Sequence, residues 1–375
     1  MGVTRRGFLA TGLAMAAPPA DGDDWPGAGR VVAVGDVHGD KDALVAVLRM
    51  AGVIDARERW NGGTAHLVQI GDIPARGPQT RQAFDYLMGL EREAADAGGK
   101  VHAIIGNHDA GVIYGDLRNT HAEEYGAFRG PDSERRLAMA WDLERDSLRR
   151  AGRLPTAAGE VEGMRKAWRE SHPPGFVEHR EAFSPAGPYG SWIRRNNAII
   201  RINGTLFVHG GISPKYAARR RTDLNETIRR ELERADRVHP ATAADTQGPL
   251  WYRGFSEGDE ASLAAHLRGV MKFHGVGRVV VGHSVTRSAI LPRFGGRVVN
   301  IDLGLSRFYG RPPACLVLDG GEGYVLHRGS RIPLPAPRPG EALRYLKAVE
   351  AADSQPSPVS ALIEEARSRP DAIVP

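Results

Sequence analysis

The sequence predicts an α+β fold in which mixed β-sheets are flanked by helices and capped by a helical insertion. Two observations carry this prediction. From residue 30 onward, short β-branched runs alternate with stretches in which apolar residues recur at helical spacing. Residues 116–190 are charged and helical without a strand pattern, and β-branched runs return after residue 197. With 375 residues, of which 41% are apolar, the chain can bury a core of this kind.

The first elements follow a βαβαβ order in which every strand runs into a polar loop. The second helix of this unit has Pro78 near its start and Gly98 at its end, as is typical of helix boundaries. The predicted elements are a strand at 30–35, a helix at 40–52, a strand at 65–71, a helix at 78–99 and a strand at 100–106.

Strands return after the insertion. Asn203-Gly204 stands between two apolar runs within 197–211 and predicts a hairpin with a two-residue turn. Charges of alternating sign at 216–235 are interpreted as a solvated helical face. These elements define one domain at 28–330, in which residues 116–190 form the insertion. The remaining strands are predicted at 277–283, 296–304, 314–320 and 324–329.

Both ends of the chain are predicted to lie outside this domain. Residues 1–20 place Arg5-Arg6 before a short apolar stretch and resemble a twin-arginine export signal; a disordered arm is the alternative. The apolar stretch is shorter than the ~20 residues that span a bilayer, so we expect cleavage and no stable membrane anchor. The expected location is periplasmic or secreted, with the twin-arginine export machinery as a partner. Residues 331–375 are predicted to form a Pro-rich surface tail with short helices.

Charge and cysteine content exclude several classes of protein. The formal net charge is +5, and removal of Arg5 and Arg6 with the signal leaves +3. This excess is too small to indicate a nucleic-acid-binding protein, and no nucleic-acid partner is expected. Cys315 is the one cysteine in the sequence, so an intrachain disulfide and a thiolate zinc cluster are both excluded.

Metal-binding side chains follow five predicted strands at the point where each strand ends. Parallel strands of one sheet end at the same edge, so we expect these side chains to lie together. They offer oxygen and nitrogen donors, as in hydrolytic sites with two metal ions about 3.5 to 4 Å apart. A single Gly-Asp or histidine would indicate a turn or a structural residue, but five strand ends together favour a metal site. The residues are Asp36, His38, Asp72, Asn107, His209 and His283.

At these residues the sequence resembles the calcineurin-like metallophosphoesterase superfamily, and within it the phosphoprotein phosphatase group. The segments that carry the resemblance are "GDVHG", "GDIPARG", "GNHD" and "HGG". The long insertion, the "GPLWYRG" segment at 248–254 and the signal resemble the Shewanella-like protein phosphatase branch of that group. The resemblance spans about residues 30–330 and implies a four-layer αββα sandwich of mixed β-sheets flanked by helices.

The resemblance also implies a role for each motif residue. Two divalent or trivalent ions are implied, and Mn, Fe and Zn remain open because all three accept these donors. Of the metal ligands, Asp36 and His38 would bind one ion, Asp72 would bridge both, and Asn107, His209 and His283 would bind the second.

Three further residues would act on the phosphate group. His108 would be the general acid for the leaving oxygen, and Arg76 and Arg253 would hold phosphate oxygens through bidentate contacts. The chain departs from the group at Ala75, where an aspartate supports the histidine, and at Asp109, which replaces a glutamate.

The implied reaction is hydrolysis of a phosphomonoester, in a phosphoprotein or a small molecule, by direct attack of a metal-bridging hydroxide. Val285 stands where phosphodiesterase relatives have a second histidine, which favours monoesters. Two alternatives remain at this point: a dinucleoside polyphosphate hydrolase, and a protein that binds metal or a phospho-ligand without turnover. The sequence does not select among phosphotyrosine, phosphoserine or phosphothreonine, and small-molecule substrates.

Overall fold

The computed structural model describes residues 22–286, 289–310 and 312–368. The export-signal prediction for residues 1–20 lies outside the described residues. Twelve strands are present in this part of the chain: β1 (Asp24–Trp25), β2 (Arg30–Val34), β3 (His66–Gln69), β4 (Lys100–Ala103), β5 (Ile199–Ile202), β6 (Thr205–Val208), β7 (Arg278–Val281), β8 (Leu291–Arg293), β9 (Val298–Asn300), β10 (Ala314–Asp319), β11 (Glu322–His327) and β12 (Ser330–Pro333).

Helices connect these strands and form the insertion. A 3₁₀ turn at Phe294–Gly296 joins β8 to β9. The α-helices are α1 (Lys41–Met50), α2 (Thr80–Asp96), α3 (Asn107–Tyr114), α4 (Ala122–Gly126), α5 (Ser133–Arg150), α6 (Ala158–Ser171), α7 (Phe176–Ala182), α8 (Pro188–Arg195), α9 (Arg221–Glu233), α10 (Gly254–Glu257), α11 (Glu260–His274), α12 (Glu341–Ala352) and α13 (Ser360–Ser368).

The strands form two mixed six-stranded sheets, which confirms the predicted fold class. The first sheet has the order β1-β5-β6-β7-β9-β8, and the second has the order β12-β11-β10-β2-β3-β4. In the second sheet β2, β3 and β4 run parallel, and in the first sheet β6, β7 and β9 do. The loops that follow each parallel set therefore leave their sheet at one edge.

Alternation along the strands creates two layers of core. Val31 and Ala33 of β2 belong to a buried cluster that contains residues of both sheets, including Ile200. Their neighbours Val32 and Val34 point to the opposite face and pack in a second cluster with the helices. The sheets thus face each other across one apolar layer, and helices cover their outer faces.

The insertion is attached to the domain by aromatic packing and a buried polar pair. Phe84 of α2 contacts the ring of Tyr189 in α8 at a centroid distance of 5.1 Å. Within the insertion, Nε2 of His179 lies 3.1 Å from Oε1 of Glu124, and both side chains are fully buried. This contact ties α7 to α4 across a sequence separation of 55 residues.

The C-terminal segment differs from the predicted surface tail. Its two short helices form, but β12 belongs to the second sheet, and Tyr345 and Val349 of α12 are buried in the core between the sheets. Asp353 accepts hydrogen bonds from His327 at 2.8 Å and from Ser357 at 2.7 Å. The segment is thus part of the packed domain. Among the described residues, no helix combines the length and apolar character needed to cross a membrane.

Candidate active site

The structure brings the predicted metal ligands together at the edge where the parallel strands end. Asp36 and His38 follow β2, and Asp72 follows β3. Asn107 begins α3, four residues beyond the end of β4. On the facing sheet, His209 follows β6 directly and His283 comes two residues after β7. The six side chains are buried, with exposed fractions of 0% to 7%.

Asp72 lies at the centre of this group. Its Oδ2 is 3.3 Å from Nε2 of His209 and 3.9 Å from Nε2 of His38. His209, His283 and Asp72 also offer donor atoms that lie within 4.8 Å of one another. Asp36 Oδ2 lies 3.9 Å from His38 Nε2 on the other side of the group. The carboxylate of Asp72 is thus placed between two sets of donors.

The backbone bends sharply to present these side chains. His38, Asp72 and His283 have φ values of 48°, 57° and 67°, in the left-handed region that side chains other than glycine rarely adopt. Such conformations cost about 1 to 3 kcal/mol each and occur where surrounding structure imposes them. A Cβ atom at Gly106 would lie 2.2 Å from Oδ1 of Asp72, so only glycine fits there.

Hydrogen bonds to main-chain carbonyls set the orientation of two histidines. Nδ1 of His209 donates to the oxygen of Ile70 at 2.9 Å, and Nδ1 of His38 donates to that of Pro74 at 3.3 Å. In the neutral ring this places the lone pair on Nε2, which is the arrangement found in metal-binding histidines.

Burial and neighbouring charge shift the pKa values of the site. Burial, together with the carboxylates of Asp302 and Asp72, raises the pKa of Asp36 well above its usual range. Burial opposes ionisation of Asp72 too, but His209 and the other nearby imidazoles hold the pKa of this residue well below its usual range. Burial lowers the pKa of His283 to about 2, so its ring is neutral at pH 7.

Asp302 belongs to this cluster and was missed in the sequence. It lies two residues beyond β9 and is fully buried; its Oδ1 accepts from the N–H of Gly304 at 3.0 Å, and its Oδ2 has no hydrogen-bond partner among the described residues. Burial raises its pKa to about 6. The "NIDLG" segment repeats the pattern of a strand followed by Asp and Gly, but the predicted strand at 296–304 enclosed the aspartate.

Asp109 has a structural role that the sequence did not reveal. Its Oδ2 accepts hydrogen bonds from the N–H groups of Asp72 at 2.7 Å and Gly106 at 2.8 Å. The carboxylate therefore joins the loop after β3 to the start of α3. The shorter side chain at this position still reaches both main-chain donors.

A cavity of about 600 Å³ opens above the ligand group, and the three residues predicted to act on phosphate line it. His108 Nε2 lies 3.9 Å from Oδ2 of Asp72, and the histidine side chain is 13% exposed. The guanidinium of Arg76 lies 5.5 Å from the ring centroid of Tyr309. Arg253 donates to the main-chain oxygen of His283 at 2.8 Å.

Residues 29–287 match the calcineurin-like phosphoesterase family over more than half of the chain. The chain belongs to this family. It is a metal-dependent phosphoesterase. The resemblance to the Shewanella-like protein phosphatases is confirmed by relatives and by solved structures.

Two curated relatives carry that name. Shewanella-like protein phosphatase 2 of Arabidopsis thaliana is 28% identical over 74% of this chain and 72% of its own length. Shewanella-like protein phosphatase 1 of Plasmodium berghei is 24% identical over 78% of this chain and 72% of its own length. The crystal structure of the cold-active protein-tyrosine phosphatase of a psychrophilic Shewanella species is 28% identical, with a TM-score of 0.63 over 84% of this chain and 83% of that chain.

The donor set of the phosphoesterase fits metal ions. Nε2 of His209 faces two oxygen atoms, Oδ1 of Asn107 at 3.0 Å and Oδ2 of Asp72 at 3.3 Å. Burial lowers the pKa of His209, but the charge and hydrogen bond of Asp72, together with the Ile70 carbonyl, outweigh burial and raise it. Nε2 of His283 is buried without a hydrogen-bond partner among the described residues. Both atoms are therefore available to a cation.

Proposed function

We propose that this phosphoesterase hydrolyses phosphomonoesters, in a phosphoprotein or a small phosphoester. The observation that carries the proposal is the position of a cation-binding group of carboxylates, histidines and an asparagine at the base of a cavity lined by Arg76 and Arg253. The protein-phosphatase names of the relatives support it.

The proposal assigns the metal ligands to two ions. Two bound ions would generate a nucleophile from water at neutral pH and offset charge on the phosphate oxygens. Their identity among Mn, Fe and Zn is left to elemental analysis, because all three accept oxygen and imidazole donors. In this assignment Asp36 and His38 would hold one ion, Asp72 would contribute to both, and Asn107, His209 and His283 would hold the other.

The chain's own residues position the phosphate and supply a proton. Arg76 and Arg253 line the cavity and can each present a planar pair of N–H donors to phosphate oxygens. His108 is the second residue of α3, whose rigid backbone fixes the direction of the imidazole, and it donates a proton to the leaving oxygen of the ester. The rings of Phe308 and Tyr309 lie beside the guanidinium of Arg76, at centroid distances of 5.3 Å and 5.5 Å.

Phosphate release by the purified, manganese-loaded chain tests this proposal. The substrates are p-nitrophenyl phosphate, phosphopeptides with tyrosine, serine or threonine, and a dinucleoside tetraphosphate. We expect release from the monoesters, and a loss of at least about 100-fold in kcat for His108→Ala with metal content retained. Cleavage of the tetraphosphate alone would favour the phosphoanhydride reaction. Metal binding without turnover of any substrate would contradict the proposed function.

We also propose that the enzyme is exported, periplasmic or secreted, through the twin-arginine route. Arg5-Arg6 and the following apolar residues support this proposal. In a bacterial host, we expect the chain to be found in the periplasmic fraction, whereas Arg5→Lys combined with Arg6→Lys retains it in the cytoplasm. Identical fractionation of the two chains would contradict the proposal.

A further inference from the structure

A second cavity adjoins the catalytic cavity. It has a volume of about 450 Å³ and is lined by residues of the loop after α3 and of the segment before α10. Asp116, Arg118 and Trp251 line both cavities, so the two spaces share a wall. Neither the metal ligands nor the residues assigned to the phosphate line the second cavity.

The wall between the cavities is built from fixed side chains. The ring of Trp251 lies 5.7 Å from that of His283, and its Nε1 donates to the main-chain oxygen of Ala243 at 3.0 Å. Across the second cavity, Tyr114 contacts the ring of His239 at a centroid distance of 5.2 Å. A substrate peptide that extends from the metal ligands along this wall would pass over aromatic side chains before it reaches solvent.

Arg118 supplies the charge at the junction. Its Nε and Nη2 groups donate to the two carboxylate oxygens of Asp116 at 2.7 Å and 2.6 Å. Asp116 is anchored in turn, because its N–H donates to the oxygen of Gly111 at 2.9 Å. The Arg118 side chain is nevertheless 80% exposed, and the pair with Asp116 engages two of the five guanidinium donors. The loop thus holds an exposed arginine in a defined position beside both cavities.

We propose that the second cavity is a subsite for the polypeptide next to the phosphorylated residue, and that Arg118 selects an acidic side chain there. This inference rests on the proposed function and narrows its substrate to phosphoproteins with an acidic residue near the phosphate. Two observations favour a peptide: the cavity shares a wall with the phosphate-binding space, and it is large enough for one side chain. The exposed guanidinium is complementary to a carboxylate.

A phosphopeptide series tests the subsite. Each peptide carries one Glu at a single position within three residues of the phosphorylated residue, and its partner carries Gln at that position. The ratio of kcat/KM for each Glu and Gln pair is measured for the wild type, Arg118→Gln, Arg118→Lys and Arg118→Glu. Because each ratio compares two substrates of one variant, general losses of activity cancel.

The matched control is Arg149→Gln. Arg149 pairs with Asp146 at 2.7 Å and is 60% exposed, but it lies on α5, away from both cavities. We expect one position at which wild type favours Glu by about threefold, the scale of an exposed ion pair. Arg118→Gln abolishes this preference, Arg118→Lys retains most of it, Arg118→Glu reverses it and Arg149→Gln leaves it intact.

Two results would overturn the subsite, and they differ in whether the phosphatase function is overturned as well. A preference for Glu that is equal in wild type and Arg118→Gln, or no preference at any position, overturns the subsite while the phosphatase activity stands. No phosphate release from any peptide or from p-nitrophenyl phosphate overturns the proposed function and the subsite with it.

Discussion

Asp302 lies outside the four sequence motifs but is close enough to the metal ligands to affect metal binding. Its buried carboxylate raises the pKa of Asp36, so the two groups interact directly through their charge. A carboxylate that supports a metal ligand typically changes metal affinity by about 10- to 100-fold when it is removed.

We therefore expect Asp302→Asn to weaken binding of the metal ion assigned to Asp36 and His38 by about tenfold while the fold is retained. Calorimetric titration of the metal-free protein with manganese measures this change. Asp319→Asn is the control, because Asp319 ends strand β10 of the other sheet and is exposed. Equal affinities for Asp302→Asn and wild type would show that Asp302 only packs beside the site.

At the scale of elements, the insertion depends on one buried polar contact. Removal of one partner leaves the other buried without its charge or hydrogen-bond partner, which is costly, whereas an exposed pair contributes little. The fully buried contact between His179 and Glu124 therefore carries more of the local stability than the many exposed arginine pairs of the insertion.

We expect His179→Ala to lower the free energy of unfolding of the insertion by about 3 kcal/mol, since Glu124 loses its partner in an apolar environment. Hydrogen exchange of α4 and α7 measures this local effect. Arg149→Ala, which removes an exposed pair with Asp146, is expected to change stability by less than about 1 kcal/mol. Equal exchange in the two variants would contradict the expectation.

The elements that the sequence predicts well are those with local signals. The β-branched runs of β2 and β3, and the Asn203-Gly204 turn, depend on residues within a few positions of each other. The position of α12 did not follow from its sequence, because an apolar helix face does not identify the surface that covers it. Asp302 and Arg118 were missed for a related reason: each gains its significance from residues far away in the chain.

At the scale of the whole molecule, the buried carboxylates of the site need a positive partner. Asp36 and Asp302 are both fully buried, and burial raises the pKa of each, that of Asp302 to about 6. A raised pKa in the folded state means that the folded metal-free protein binds more protons than the unfolded chain. For Asp302, this contribution to stability is therefore lost as pH rises from about 4 to about 6.

We expect a chelator to lower the melting temperature by about 5 to 10 °C at pH 7, because metal binding stabilises only the folded chain. We also expect the difference from the metal-loaded protein to be smaller at pH 5, where protons replace the cations. Differential scanning calorimetry at both pH values measures the two effects. A chelator effect that is equal at pH 5 and pH 7 would contradict this account.

Because metal-binding side chains come from both sheets, the order of synthesis on the ribosome determines when metal can bind. His283 approaches Asp36 across 247 residues of sequence, so the complete set of donors exists only after about three quarters of the polypeptide has been synthesised. The nascent N-terminal half can form its parallel strands, but it cannot bind ions with the affinity of the finished site. Metal binding is therefore a late step, and the two sheets must pack together before the metal ions bind.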